Sequence, residues 1–385
     1  MIRLERREHV RWWHYVGVPV VSVLLAALTG AVFLVLTGFD PVAVYAGMLR
    51  ASLTSRFGLA DTLVSATPLM LTGLAAAVAF RYRLYNIGAE GQLYVGAIAA
   101  AGVGLALGEI PAPVAILAVV VAGALGGALW VLLPALARAW LGTSEIITTL
   151  LLNYVALFAM RYLIFGSTSL WRDPTATNFP QGRPLPEAAE FPEWGLTRIH
   201  LGLVVALLAV VGLWWLLART RVGFDLRVFG DSPEAARYAG IGVRRVVVGV
   251  LLLSGALAGL AGAGEVAGRA HQLDPQGLAV GVGYAGIIVA ALARYNPLGV
   301  PLVAVLLGAI SNAGTALQST AELRVPVAVS TMLQGAILIF VLGGELHLRY
   351  RVRLGRGTAA PATADQAATE VVTTPETPAR ERPSR

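Results

Sequence analysis

The sequence predicts an all-α fold: a polytopic transmembrane helical bundle of about ten spans, with both termini on the cytoplasmic side. Three observations predict it. Hydrophobic residues make up 57% of the 385 and charged residues only 13%, with a mean hydropathy of +0.72. A soluble domain usually carries about 25% charged residues, so this chain has too few to cover a water-facing surface. Apolar runs of about 20 residues recur along most of its length, and in lipid such runs satisfy their own backbone as helices. The net charge is +7, the chain contains no Lys, and its arginines fall mainly in short connections between apolar runs. A basic chain can bind nucleic acid, but this placement points to orientation in the membrane instead.

Ten apolar segments follow in order, at 15–37, 62–80, 86–107, 113–136, 145–165, 199–218, 246–268, 279–293, 298–316 and 326–343. Arg3, Arg6, Arg7 and Arg11 precede the first run, as in a signal peptide, but the run is longer than a typical h-region and reads as a retained helix. The eighth and ninth segments are short and separated only by Arg294-Tyr295-Asn296-Pro297. With the N-terminus inside, the inside segments hold Arg81, Arg83, Arg138, Arg219, Arg221, Arg227, Arg237, Arg244, Arg245, Arg294 and the cluster from Arg349 to Arg356. The outside segments hold fewer: Arg50, Arg56, Arg172, Arg183, Arg198, Arg269 and Arg324. The bias places both ends inside.

A loop from Gly166 to Arg198 is outside, rich in Pro, Thr and Glu, with Trp171 and Trp194 as interfacial anchors. The tail from Gly357 has almost no large apolar residue and is expected to be disordered. Gly255, Gly259 and Ala263 recur at four-residue spacing, as do Gly123 and Gly127, so these faces let another helix approach closely.

The inside loop between Ala218 and Arg245 carries a short helix signal. Ser232 suits the N-cap, Pro233 the first helical position, Glu234 the first turn and Gly240 the left-handed C-terminal cap. A single short helix is expected there, either as a docking element for a cytoplasmic motor or as a plain amphipathic loop helix. Asn86, Glu90 and Gln92 cluster at a helix entrance, and polar groups there are costly if they face lipid. They line a transport pathway beside a broken helix, or form an interfacial loop with Arg81 or Arg83 pairing Glu90. Glu145 and Asn153 are two turns apart and share a face, as a gate or as a helix–helix hydrogen bond. Arg161 and Glu265, near outer helix ends, are expected to snorkel.

The chain has no Lys and hence no phosphate-binding loop of the Gly-x-x-x-x-Gly-Lys-Ser/Thr form. The absence of Cys excludes disulfides and thiolate sites, and the five histidines include no metal-ligand spacing. No catalytic residue, metal or cofactor is assigned. An ion-coupled carrier would place carboxylates deep in the spans, and these spans are nearly free of Asp and Glu.

Glu234-Ala235-Ala236 with Gly240 resembles the EAA coupling motif of ATP-binding-cassette (ABC) importer permeases, although the apolar-Pro ending of that motif is absent after Gly240. Four other segments resemble the nucleoside and simple-sugar branch, which is related to the branched-chain amino-acid permeases. They are Tyr85-Asn86-Ile87-Gly88-Ala89-Glu90-Gly91-Gln92, the stretch Gly142 to Tyr154, Ser254 to Gly259, and Gly281 to Ile287. The resemblance covers residues 15–345. It implies a permease domain over 15–345, between a cytoplasmic segment 1–14 and a cytoplasmic, mostly disordered tail 346–385. It further implies Glu234, Ala235, Ala236 and Gly240 as the ATPase-coupling residues. The implied partners are a second related permease in a heterodimer, a cytoplasmic ABC ATPase, an extracytoplasmic substrate-binding protein and a small-molecule substrate. The resemblance favours nucleosides, with simple sugars as the alternative. The neutral amides Asn86, Gln92, Asn153 and Gln318 also suit a hydroxyl-rich solute.

Overall fold

A computed structural model describes residues 2–6, 12–108, 110–176, 179–195, 197–278, 281–319 and 326–354. The helices are α1 (Trp12–Leu36), α2 (Pro41–Leu49), α3 (Arg56–Arg81), α4 (Ala89–Leu107), α5 (Ala112–Leu136), α6 (Glu145–Arg161) and α7 (Gly202–Arg219). They continue as α8 (Arg221–Asp231), α9 (Pro233–Tyr238), α10 (Val243–Glu265), α11 (Val282–Leu292), α12 (Val300–Ser319) and α13 (Ala328–Arg349). Each of the ten expected segments coincides with one helix. Eight are long and apolar enough to cross a membrane; α11 and α13 contribute the shorter apolar stretches Val282–Leu292 and Ala328–Gly344.

Helix α3 is the axis of the bundle, buried over most of its length against α7, α10, α11 and α12. Helices α4, α5 and α10 form a second tight layer. The small-residue faces read from the sequence are used here, within the chain. Gly123 and Gly127 of α5 lie against Gly255, Gly259 and Ala263 of α10, and Gly96 of α4 meets Gly259 from the other side. A Cβ at Gly259 would fall on the backbone of Gly123 and Gly127, so only glycine allows these axes to come this close.

Four elements were not expected: two helices and a pair of strands. Helix α2 begins where Asp40 accepts a 2.9 Å hydrogen bond from the Val42 amide and Pro41 opens the first turn, an N-terminal signature in a stretch the sequence reading left without a helix. Helix α8 accompanies α9, so the connection between α7 and α10 holds two helices rather than one; Thr220 caps α8 by accepting from Gly223 at 3.2 Å. Strands β1 (Ile2–Arg6) and β2 (Tyr350–Leu354) pair antiparallel, Ile2 opposite Leu354 and Arg6 opposite Tyr350. Apolar and charged residues alternate through Ile2–Glu5 and all of Tyr350–Leu354, the period of a strand. The pairing brings the two ends of the bundle together where α1 packs on α13. The disorder expected beyond Gly357, the loop charge at Arg324 and those at Arg7 and Arg11 fall outside the described residues.

The loop between α6 and α7 is stitched to the bundle. Leu185 N–H bonds the His271 carbonyl at 2.8 Å and Phe191 N–H the Ala267 carbonyl at 2.8 Å. Trp171 is not a simple interfacial anchor: its indole N–H donates to the Ile98 carbonyl of α4 at 2.9 Å. His200 is buried beneath this loop, and burial, with His271 and Arg269 nearby, lowers its pKa to about 4. It therefore stays neutral, and its Nδ1 accepts the Gly202 amide at 3.1 Å. Glu265 does not snorkel: it is buried and held by Arg269 at 3.2 Å.

Candidate functional site

Two constellations carry polar chemistry, one at an end of the bundle and one inside it. The first is α9. Ser232 accepts a hydrogen bond from the Ala235 amide at 3.2 Å, and Pro233 sets the first turn. At the other end, Ile241 N–H returns to the Ala236 carbonyl at 2.9 Å and Gly240 N–H to Arg237 at 3.0 Å. This pair of bonds is the Schellman closure, and Gly240 takes the left-handed φ of +77° that it requires. Both ends of a six-residue helix are thus fixed. Ala236 is fully buried against the body, while Glu234, Ala235 and Gly240 are exposed and Tyr238 at the tip is 95% exposed.

The second constellation is built on the non-helical stretch between α3 and α4, which folds back along the bundle. Asn86 is fully buried and meets Ser254 of α10 at 2.9 Å, and Ser254 in turn donates to the Ala75 carbonyl at 2.7 Å. Ala75 lies six residues before the end of α3, so Asn86 sits roughly 9 Å up that helix. Irregular backbone at such depth survives only if protein groups satisfy it. Here they do. Asn86 and Gln92 exchange amide hydrogen bonds, both at 2.9 Å, and Asn86 Oδ1 also accepts the Gly88 amide at 2.9 Å.

Helix α6 holds the same stretch from the side. Glu145 accepts the Tyr85 amide at 3.2 Å and pairs with Arg138 at 3.2 Å. Thr149 accepts the Ile87 amide at 3.2 Å. Asn153 accepts the Gly91 amide at 2.8 Å and donates to the Ile87 carbonyl at 2.9 Å and the Tyr284 hydroxyl at 3.0 Å. Glu145 and Asn153 do share one face, and that face grips the Tyr85–Gly91 stretch.

Glu90 is not paired by Arg81 or Arg83. One carboxylate oxygen accepts the Tyr94 hydroxyl at 2.6 Å and the Gly281 amide at 2.5 Å; the other accepts the Gly283 amide at 2.6 Å. Gly281 and Gly283 open α11, whose eleven residues span only about 16 Å. Glu90 therefore caps a half-length helix at its positive end, with the charge that end favours. The residues leading into it, Leu273 and Leu278, are buried in the bundle.

The four separately recognised segments thus converge on one network. Asn86, Glu90, Gln92, Glu145 and Asn153 are all brought together and all buried. Ser254, Tyr94, Thr149, Arg138 and Tyr284 complete the network and were not singled out individually. Ser254, Thr149 and Tyr284 lie within the segments that resemble the family, but nothing in a lone sequence pairs residues 168 apart, as Asn86 and Ser254 are. No group of three metal-ligating side chains occurs among the described residues.

A many-helix apolar bundle with a capped helix at its end and a half-helix inside has the build of a polytopic membrane protein. Residues 58–342 match the family model described as branched-chain amino acid transport system / permease component, and the chain belongs to that family. It is a multi-pass cell-membrane permease of the ABC transporter class. The glucose ABC transporter permease protein TsgB13 of Haloferax volcanii is 35% identical over 94% of this chain and 97% of its own length. The guanosine ABC transporter permease protein NupP of Bacillus subtilis is 35% identical over 84% and 92%. The nucleoside ABC transporter permease protein NupB of Lactococcus lactis is 30% identical over 84% and 90%. Each organism also holds a second relative named for the same solute (TsgC13, NupQ and NupC), at 28%, 25% and 28% identity.

Proposed function

We propose that the chain is the longer of two related permeases in an importer for nucleosides or related sugar-bearing solutes. The partners are the second permease, a cytoplasmic ABC ATPase and an extracytoplasmic binding protein. The observation that carries the mechanism is α9, fixed at both ends by Ser232 and Gly240 and presenting Glu234, Ala235 and Tyr238 outward. A rigid protruding helix transmits a push; a flexible loop absorbs it. The ATPase grips α9, and its closure on ATP tilts the helices that α9 contacts, α8 and α10.

The polar network lies at the other end of that linkage. Ser254 of α10 bonds Asn86, and through Glu90 and Asn153 the same stretch holds the start of α11. Movement of α10 is thereby passed to the half-helix, and Asn86, Glu90, Gln92, Glu145 and Asn153 form the wall of the gate. Half-helices whose positive ends meet polar groups near mid-span are how transporters build pathways.

The substrate reading rests on the guanosine and nucleoside permeases among the relatives. A simple sugar is the second reading, favoured by the glucose permease that matches along nearly the whole chain. Uptake of labelled uridine, adenosine, glucose and ribose in cells lacking the gene separates them. Loss confined to the nucleosides is expected; loss confined to glucose installs the second reading, and loss of an amino acid alone overturns both.

The arginine bias and the pairing of β1 with β2 support both termini inside. Reporter fusions are expected to place residues 170–195 outside and 225–240 inside. Finding both on one side would refute the topology.

A further inference from the structure

A cavity of about 1200 Å³ opens where α5 ends, α10 begins and α9 rests. Five arginines line it, Arg83, Arg138, Arg237, Arg244 and Arg245, and no Asp or Glu does. Arg138 is engaged by Glu145. The other four are exposed, and among the described residues none of their guanidinium groups makes an ion pair or a hydrogen bond. Arg244 only stacks on Trp140, 5.8 Å from the ring centre. A neighbouring cavity of about 690 Å³ is also basic, but there Arg227 donates to the Leu217 carbonyl at 2.7 Å and Arg81 to Tyr295 at 3.4 Å. In the larger cavity four of the five charges are left unused by the chain. Like charges gathered around one space repel unless an anion joins them.

The walls indicate what kind of anion. Trp140 and Leu141, at the mouth, are 55% and 78% exposed. They terminate an apolar stripe on α5, where Leu117, Val121, Leu125, Leu129 and Leu133 are exposed at every fourth residue, one face of the helix. A charged cavity continuous with an exposed apolar track on a membrane-length helix fits a molecule that is anionic at one end and hydrocarbon at the other. Guanidinium forks match phosphate oxygens, and a tryptophan ring sits well at headgroup level. We infer that this cavity binds the phosphodiester headgroup of an anionic phospholipid, with its acyl chains along α5. The lipid then bridges α5, α10 and the base of α9. The inference does not depend on which solute is transported.

Binding to the purified full-length chain in a neutral detergent tests it, with phosphatidylglycerol, cardiolipin, phosphatidylcholine and inorganic phosphate as probes. Native mass spectrometry and thermal unfolding are the readouts. Phosphatidylglycerol and cardiolipin are expected to stay bound and raise the unfolding midpoint, while phosphatidylcholine does neither. The triple variant Arg83→Gln/Arg244→Gln/Arg245→Gln is expected to weaken that binding about a hundredfold, and the outer-loop variant Arg198→Gln to leave it unchanged. Because every replaced side chain is exposed, the triple variant should still fold; if it does not, the ratio of anionic to zwitterionic lipid held by the unaltered chain decides. Equal retention of both lipid classes overturns the inference, as does unchanged binding by the triple variant. Displacement of lipid by millimolar phosphate assigns the cavity to the free anion and also overturns it. So does a triple variant that keeps its lipid but loses a co-expressed ATPase, because the arginines then serve the motor protein.

Discussion

Gly240→Val is expected to uncouple ATP hydrolysis from transport while leaving the protein in the membrane and the complex assembled. Gly240 holds φ at +77° so that the Ile241 and Gly240 amides can close on Ala236 and Arg237. A left-handed conformation costs a non-glycine residue about 1–2 kcal/mol, and a β-branched side chain tolerates it worst. Six helical residues cannot absorb that cost, so the C-terminal turn of α9 unwinds and Tyr238 loses its position. Gly240 is exposed, with open space where a Cβ would go, so the bundle itself is unaffected. Transport is expected to fall more than about tenfold, the equivalent of 1.4 kcal/mol in coupling, with ATP hydrolysis persisting. Gly240→Asn, which tolerates the left-handed region, should retain most of the activity. Uptake and ATPase rates measured on the same membranes check this. Normal coupling in the valine variant would remove α9 from the mechanism.

The largest effect on stability is expected from Glu90→Leu. The carboxylate accepts from Tyr94, Gly281 and Gly283, and all three donors lose their acceptor at once. Each buried donor left unsatisfied costs about 1–3 kcal/mol, so the total is on the order of 5 kcal/mol, comparable with the whole stability of a domain. Folded protein recovered after detergent extraction should fall steeply. Glu90→Gln, which keeps one acceptor oxygen, should lie between. A leucine variant with unchanged yield and unfolding temperature would show that the start of α11 is held by something else.

Much of the architecture was legible in the sequence because lipid imposes it. Ten apolar lengths gave ten helices, and the Ser232, Pro233 and Gly240 pattern of α9 reappeared atom by atom. Helix α2 was missed because its apolar run is shorter than a span, although Asp40-Pro41 announced its start. Helix α8 is less legible because its start lacks the Pro and Glu that follow Ser232, although Thr220 caps it at the same 3.2 Å. The strands carry a period-two pattern at most five residues long, which is visible once the two ends are known to meet.

Within the site, the sequence supplied the residues but not their partners. Polar groups at Asn86, Glu90 and Gln92 stood out because lipid would penalise them. The sequence offered an arginine as the partner of Glu90; instead two backbone amides and a tyrosine hydroxyl serve, because a helix start is itself positive. The glycines of α10 advertised close packing without naming the neighbour, which proved to be α4 and α5 of the same chain. Glu265 was expected to reach for water, but it stays buried because Arg269, one turn later and itself exposed, pairs with it.

The central claim is that ATP, acting through α9, drives solute movement past a gate held by Asn86, Glu90 and Asn153. The most direct measurement is nucleoside uptake into proteoliposomes holding this chain, its companion permease, the ATPase and the binding protein. The account predicts uptake that requires ATP inside the vesicle face bearing α9, continues without any ion gradient, and stops in Gly240→Val. Uptake that runs on a proton or sodium gradient without ATP would contradict it.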